Sequence, residues 1–258
     1  MLRDYDAHRP NEIFAELGTD WITLDGAYAV QCAVAELREV RGECRLGYKV
    51  GCRSPTIQNQ LGLDQPVRGY LWQGACHPSG ARLRASDFSN LAVEGEIAVR
   101  LISEIPVDFA RSPLSELGKY IECWFPVIEL HNYVFRGAKP TREELIAGNA
   151  MHAGFVAPST IGNDALARSN SCSVEELSHV EIRIRIDRTL VEESNVSSLA
   201  GGPLGSVRWL VSSLALCNKA LKSGDIVLTG SPGRLIPVHP GNAVHVACGR
   251  WVVELFLA

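Results

Sequence analysis

The sequence predicts an α+β fold, with a mixed or antiparallel sheet as its body and a helical N-terminal part. Three observations carry this. Val30, Ala33, Val34, Leu37 and Val40 recur at helical spacing near the start of the chain. From about residue 82 onward strand-like segments follow one another instead of alternating strictly with helices, which argues against a doubly wound sheet. Val180, Ile182, Ile184 and Ile186 alternate with Glu181, Arg183 and Arg185, the pattern of a strand with one wet and one dry face.

Taken in order, residues 11–17 and 25–41 read as helices and residues 45–51 as a strand. Ser54-Pro55 supplies an N-cap and a first helical position, so residues 55–61 form a helix. Strands are expected over residues 82–85, 93–101, 125–131 and 150–157, with a helix over residues 113–123. Residues 179–187 form a strand with a turn at Asp187-Arg188. Leu204, Val207, Val211 and Leu214 give residues 203–222 an apolar helical side. Residues 225–229, 243–247 and 251–256 close the chain as strands. A soft boundary at residues 74–80 separates residues 1–75 from a sheet body of residues 76–258; the two can equally be one continuous domain.

A chain of 258 residues suffices for one large domain. A net charge of -4 gives no footprint for nucleic acid or an anionic membrane. No apolar run is long enough to span a bilayer, and the first residues lack the parts of a signal peptide, so a cytoplasmic location is expected. The eight cysteines form no Cys-x-x-Cys pair, which argues against a zinc ribbon or a redox motif.

The chemistry concentrates in Leu91-Ala92-Val93-Glu94-Gly95-Glu96-Ile97-Ala98-Val99-Arg100-Leu101. Leu91, Val93, Ile97, Val99 and Leu101 share one parity, so the run reads as a half-buried strand. Glu94 and Glu96 then project from the other face, roughly 7 Å apart. Two like charges in apolar surroundings repel and are poorly solvated. A hard divalent cation such as Mg²⁺ or Mn²⁺ would remove that cost; the alternative is an ordinary solvated face.

A third carboxylate, Glu129, shares a strand face with Val127 and His131 and could complete a three-carboxylate cluster; otherwise it pairs with an arginine. Lys49, between Gly47 and Gly51, either points inward to stabilise an enolate or carboxylate or is a solvated strand lysine. The turn from Thr229 to Gly233 either offers N–H groups and a hydroxyl to an anion or is only a tight turn.

These pieces in their order resemble the 2-keto-4-pentenoate hydratase family, within the fumarylacetoacetate hydrolase superfamily. The motifs are Gly47-Tyr48-Lys49-Val50-Gly51, Ser54-Pro55, Asp64-Gln65-Pro66, Glu94-Gly95-Glu96 and Pro126-Val127-Ile128-Glu129, followed by residues 224–230 and 237–241. The resemblance implies a mixed β-roll with surrounding helices and a helical N-terminal part. It implies Mg²⁺ or Mn²⁺ held by Glu94, Glu96 and Glu129, with Lys49 as the active-site lysine. A glutamate at position 129 favours the hydratase and decarboxylase branch over the C–C hydrolases. The implied substrate is a small 2-oxo acid or its dienol, as in aromatic meta-cleavage catabolism, and the implied assembly is a homo-oligomer.

Two motifs depart from the family. Asp64-Gln65-Pro66-Val67-Arg68-Gly69 carries Val67 where the family has a second acid and Arg68 where it has an aromatic residue. Arg68 either binds a second substrate carboxylate or is an ordinary arginine. Ala147-Gly148-Asn149-Ala150-Met151-His152 keeps Asn149 as a substrate-binding candidate and places His152 where the family has serine. His152 is either a proton donor or structural. The first expectation is a metal-dependent hydratase. The alternatives are a 2-oxo acid decarboxylase of the 4-oxalocrotonate type, a C–C hydrolase, whose Glu-His dyad has no obvious counterpart beyond the plausible spacing of His8 and Glu12, and a non-catalytic protein that binds metal and a 2-oxo acid.

Overall fold

Each end of the early helices is set by a recognisable local device. The structure is a computed structural model describing residues 1–258 apart from 8, 10, 11, 19, 134–138 and 160–173; His8 of the candidate dyad lies outside the described residues. Two short helices, α1 (Leu2–Asp6) and α2 (Glu12–Leu17), precede the long α3 (Leu24–Val40). Thr23 caps α3 by accepting from the Gly26 N–H. Strand β1 (Arg45–Gly51) leads into α4 (Pro55–Leu61), where Ser54 accepts from the Ile57 N–H and Gly62 ends the helix at φ 73°. Strand β2 (Val67–Trp72) then doubles back antiparallel to β1.

The body contains β3 (Cys76–Pro78), β4 (Ala81–Leu83), β5 (Leu91–Leu101), β6 (Ile121–Asn132) and β7 (His152–Ala157), with α5 (Arg142–Ala147) before β7. After α6 (Val174–Leu177) come the hairpin β8 (Glu181–Ile186) and β9 (Thr189–Asn195) and then α7 (Gly202–Ala215). Short strands β10 (Ile226–Leu228) and β11 (Ile236–Pro237) precede the closing hairpin β12 (Ala243–Cys248) and β13 (Trp251–Leu257).

The strands form two sheets. One runs β2-β1-β10-β5-β6-β7-β3, with β11 also on β5; the other runs β4-β13-β12-β8-β9. Pairs β1/β10, β3/β7 and β4/β13 are parallel and the rest antiparallel, which is the mixed α+β architecture the sequence predicts. Strands β1 and β2 hydrogen-bond into the same sheet as β5, β6 and β7, so that sheet crosses the boundary at residues 75/76. Among the described residues no helix is long and apolar enough to cross a membrane.

Three expectations change. Strand β5 is buried on both faces, not one. The predicted parity is right, but the second sheet covers the Val93 and Ile97 side while α-helical and loop segments cover the other. Residues 113–123 are 3₁₀ turns over Leu114–Tyr120 followed by the start of β6, because Ile121 and Cys123 pair with Leu101 and Arg100. The helix expected over residues 203–222 stops at Ala215, and Asn218, at φ 54°, turns the chain.

Two glycines set the closest approaches. Gly47 has φ 148°, and a Cβ there would lie 2.0 Å from the Ile226 carbonyl oxygen of β10. A Cβ on Gly95 would meet Ile182 Cγ2 at 2.9 Å and Ile184 Cδ1 at 3.2 Å, so the second sheet packs directly against β5 there. Gly47→Ala should lower the unfolding free energy by about 2–4 kcal/mol, read as the shift of a urea denaturation midpoint at unchanged slope.

Candidate metal centre

Register places the carboxylates together. Glu94 of β5 lies directly opposite Glu129 of β6, and Glu96 lies opposite Val127, so all three glutamates share one face of the sheet. Gly95, between the first two, faces the other way, where the second sheet leaves no room for a side chain. The Glu-Gly-Glu spacing is therefore two ligands on one side and a packing site on the other. Glu94, Glu96 and Glu129 are at most 5 % exposed.

Lys49 reaches this face from β1. Its Nζ lies 3.2 Å from Glu129 Oε1, and both side chains are buried. Burial pushes the Lys49 ammonium down, but Glu129, Glu94 and Glu96 outweigh it and the net shift is upward. Burial likewise opposes ionisation of Glu129, yet Lys49, His131 and His152 hold its carboxyl well below the ordinary carboxylate range. Glu96 goes the opposite way: burial and the charges of Glu129 and Glu94 raise it well above its usual value.

β-bulges and a strained turn bring in His152. The pairing of β6 with β7 slips one residue between Leu130 and His131, so His131 faces His152 instead of Ala153. His152 Nδ1 lies 2.7 Å from Glu129 Oε1. With Glu129 ionised, Nδ1–H donates. Burial pushes His152 below its ordinary value against the pull of Glu129, so its resting form is the neutral imidazole. Asn149, Ala150 and Met151, at φ 57°, 52° and 60°, set up this turn. Such a run of left-handed non-glycine residues is costly and persists only where the surroundings hold it.

The residues named from sequence divide into two groups. Glu94, Glu96, Glu129, Lys49 and His152 come together. Arg68, Asn149 and Thr229 do not. Arg68 leaves β2 on the face opposite Val67: its guanidinium stacks 3.8 Å over the Tyr28 ring and donates to Ser213 Oγ and Cys217 Sγ. Val67 lines the cavity beside Lys49 and Glu94. Asn149 uses both ends of its amide on β2, accepting from the Tyr70 N–H at 2.7 Å and donating to the Tyr70 carbonyl at 3.0 Å. Thr229 donates its hydroxyl to the Ile97 carbonyl at 2.8 Å. The turn after it does bind an anion, but that anion is Glu96, whose Oε2 accepts from the Gly230 N–H at 2.9 Å. The turn fits there because β10 and β11 both pair with β5 and leave residues 94–97 open between them.

Sequence reasoning gave His131 no role. Its Nε2 lies 3.0 Å from Glu94 Oε2 and 3.5 Å from Glu129 Oε2. The available signal was its parity: two residues beyond Glu129 on one strand, it must share that face.

The donor set suits a divalent cation. Glu96 Oε1 and Glu129 Oε2 are buried without a hydrogen-bond partner, which is costly unless something else engages them. With all three buried carboxylates ionised, one ammonium leaves two negative charges for such an ion to neutralise. Among the described residues, Glu94, Glu129 and His131 each offer one donor atom within 4.8 Å of the others.

The sequence matches the fumarylacetoacetate (FAA) hydrolase C-terminal family over residues 38–252. It is 28 % identical over 222 residues to a 2-keto-4-pentenoate hydratase of Burkholderia vietnamiensis, covering 85 % of this chain and 81 % of that protein. To the TodF product hydratase of Pseudomonas putida it is 29 % identical over 224 residues, covering 86 % and 80 %. The structure superposes on 4-oxalocrotonate decarboxylase from Pseudomonas putida G7, complexed with magnesium and adipate, with a TM-score of 0.85 at 22 % identity, covering 99 % of this chain and 94 % of that one. At that identity the likeness establishes the fold.

Because the folded carboxyl of Glu96 binds its proton more tightly than the unfolded one, ionising it costs stability. That cost is absent below the ordinary carboxylate pKa and grows as pH rises above it. In metal-free protein, Glu96→Gln should therefore gain in melting temperature over wild type as pH rises from 4.5 to 8, measured by calorimetry in EDTA. A difference that does not change with pH would contradict the raised carboxyl.

Proposed function

This chain belongs to the FAA hydrolase family, and from that premise we propose that it is a divalent-metal-dependent hydratase acting on a 2-hydroxydienoate or its 2-oxo acid form, as in aromatic meta-cleavage catabolism. The observation that carries the reading is the buried group of Glu94, Glu96 and Glu129 with the Lys49 ammonium against it. Its support from relatives is the pair of hydratases matched over most of the chain.

Glu94, Glu96 and Glu129 would hold Mg²⁺ or Mn²⁺, with the remaining positions left to water and substrate oxygens. Such an ion supplies Lewis acidity toward a 2-oxo carbonyl and its neighbouring carboxylate. The chain's own groups do the rest. Lys49 stays an ammonium because its carboxylate neighbours outweigh its burial, so it offers positive charge and N–H donors to an enolate oxygen but does not act as a base. Glu129 Oε1 fixes both Lys49 and the Nδ1–H of His152. His152, resting neutral, is placed to take up a proton rather than to deliver one. The apolar neighbours Ile57, Leu61 and Leu145 line the cavity and limit water in it, which strengthens each electrostatic contact.

Decarboxylation of a 2-oxo acid is the second reading. Val67 favours it: a buried apolar side chain lines the cavity where the family carries an acid. Without that carboxylate fewer groups remain to activate water for addition, while the electron sink needed to lose carbon dioxide is unchanged.

The test follows the ultraviolet absorbance of freshly made 2-hydroxypenta-2,4-dienoate with Mg²⁺ or Mn²⁺ and then with EDTA. The expected outcome is metal-dependent loss of the dienol with 4-hydroxy-2-oxopentanoate as product. Metal-dependent release of carbon dioxide from 4-oxalocrotonate, with the dienol untouched, would replace hydration by decarboxylation. Lys49→Ala should reduce kcat by about 10²-fold or more while calorimetry still detects metal binding. An unchanged kcat would remove Lys49 from the chemistry.

A further inference from the structure

We propose that His131 is a direct ligand of the cation in this site, so that the chain holds its metal with a mixed carboxylate and imidazole set and takes Mn²⁺, Fe²⁺ or Co²⁺ in preference to Mg²⁺. This rests on the metal-centre reading above and adds a nitrogen donor to the three carboxylates considered there.

The position of His131 is built into the sheet. It follows Glu129 by two residues on β6 and lies opposite Ala92 of β5, so no large side chain across the strand pair blocks its ring. It is 1 % exposed. Its Nε2 lies between two carboxylate oxygens, 3.0 Å from Glu94 Oε2 and 3.5 Å from Glu129 Oε2. One donor atom each from Glu94, Glu129 and His131 meets the mutual spacing a single ion requires.

The contact on His131 Nε2 and Glu94 Oε2 is the one between them, which an ion entering the cluster would replace, and the other contacts leave Glu129 Oε2 open. Glu129 Oε1 is occupied by Lys49 and His152, while Oε2, on the His131 side, has no hydrogen-bond partner. Glu96 has one oxygen held by the Gly230 N–H and the other without a hydrogen-bond partner. The Nδ1 of His131 has no hydrogen-bond partner either. Without a cation Nε2–H donates to Glu94 Oε2; because nothing holds Nδ1, the ring can shift its proton there and present the Nε2 lone pair to an entering ion.

The chemical consequence is a change of preference. Mg²⁺ takes oxygen ligands and sheds water reluctantly, whereas an imidazole nitrogen raises affinity for first-row transition ions along the series from Mn²⁺ upward. A buried histidine that only donated Nε2–H to Glu94 would be a positioning residue and would leave the preference as three carboxylates set it.

Electron spin-echo spectroscopy on the full-length protein loaded with Mn²⁺ separates these cases without any assay of turnover. Wild type should show ¹⁴N modulation from a coordinated imidazole, and His131→Val should lose it. Calorimetry should find Co²⁺ at least about tenfold tighter than Mg²⁺ in wild type, with that margin lost in the variant. His131→Gln, which keeps a polar group toward Glu94, should also lose the modulation while circular dichroism confirms the fold. Bound Mn²⁺ without nitrogen coupling, or coupling that survives in both variants, would overturn His131 as ligand and leave the metal centre standing. No binding of any divalent ion to wild type would overturn both.

Discussion

The site depends on one buried contact, the Lys49 ammonium 3.2 Å from Glu129. Neither partner is accessible to water, and removing one member of such a pair costs about 3–5 kcal/mol because the other is left charged and unsolvated. Glu94 and Glu96 add two more carboxylates to the same enclosed space, where burial and then the charges of Glu129 and Glu94 displace Glu96 upward. The fold tolerates this only because Gly230, His131, His152 and Lys49 surround the carboxylates with donors. A metal-free site of this kind is compensated in part. That leaves a standing driving force for a divalent cation and couples its binding to stability.

Backbone devices hold the donors in place. The approach of β1 to β10 at Gly47 brings Lys49 within reach of Glu129 on β6, three places away in the sheet. The bulge between β6 and β7 turns His152 toward Glu129. The left-handed turn at Asn149, Ala150 and Met151 is secured by the amide of Asn149, which pairs with Tyr70 as a neighbouring strand would. Gln31 of α3 ties the same region together by donating to the carbonyls of Arg68 and Ile146. Strain close to the site is thus borne by hydrogen bonds to the sheet and to α3, at positions that never touch the cluster.

Much of this was legible in the sequence, and the parts that were not share a cause. Parity along a strand is a local property, so the common face of Glu94 and Glu96 and the face of Glu129 could be read directly. Whether that face meets water is a property of the whole fold, and β5 proved buried on its glutamate side as well because Ile57 and Leu61 of α4 and Leu145 of α5 close over it. Strand β2 escaped detection because Val67-Arg68-Gly69-Tyr70 places a charge and a glycine among its apolar residues, although all of them, Arg68 included, are buried. With the strand missed, the direction of Arg68 could not be fixed, and Val67, one residue earlier, is the side chain that faces the cavity. Asn149 and Thr229 looked like ligand-binding groups because polar side chains in a turn offer free donors; here the backbone of β2 and of β5 uses them.

Val67 and His131 both bear on the charge around the three carboxylates. One position that the family fills with an acid is apolar, so the cavity loses a negative charge and a group able to activate water. Two residues beyond Glu129 an imidazole faces the same carboxylates, with Nε2 3.0 Å from Glu94 Oε2 and 3.5 Å from Glu129 Oε2. Both changes act on the same quantity, the balance of charge around a divalent ion. Glu94, Glu96 and Glu129, without a fourth carboxylate at position 67, would leave more of a bound cation's charge for a substrate carbonyl. That electron withdrawal would serve the enolate that hydration and decarboxylation share, so the charge balance supports either reaction.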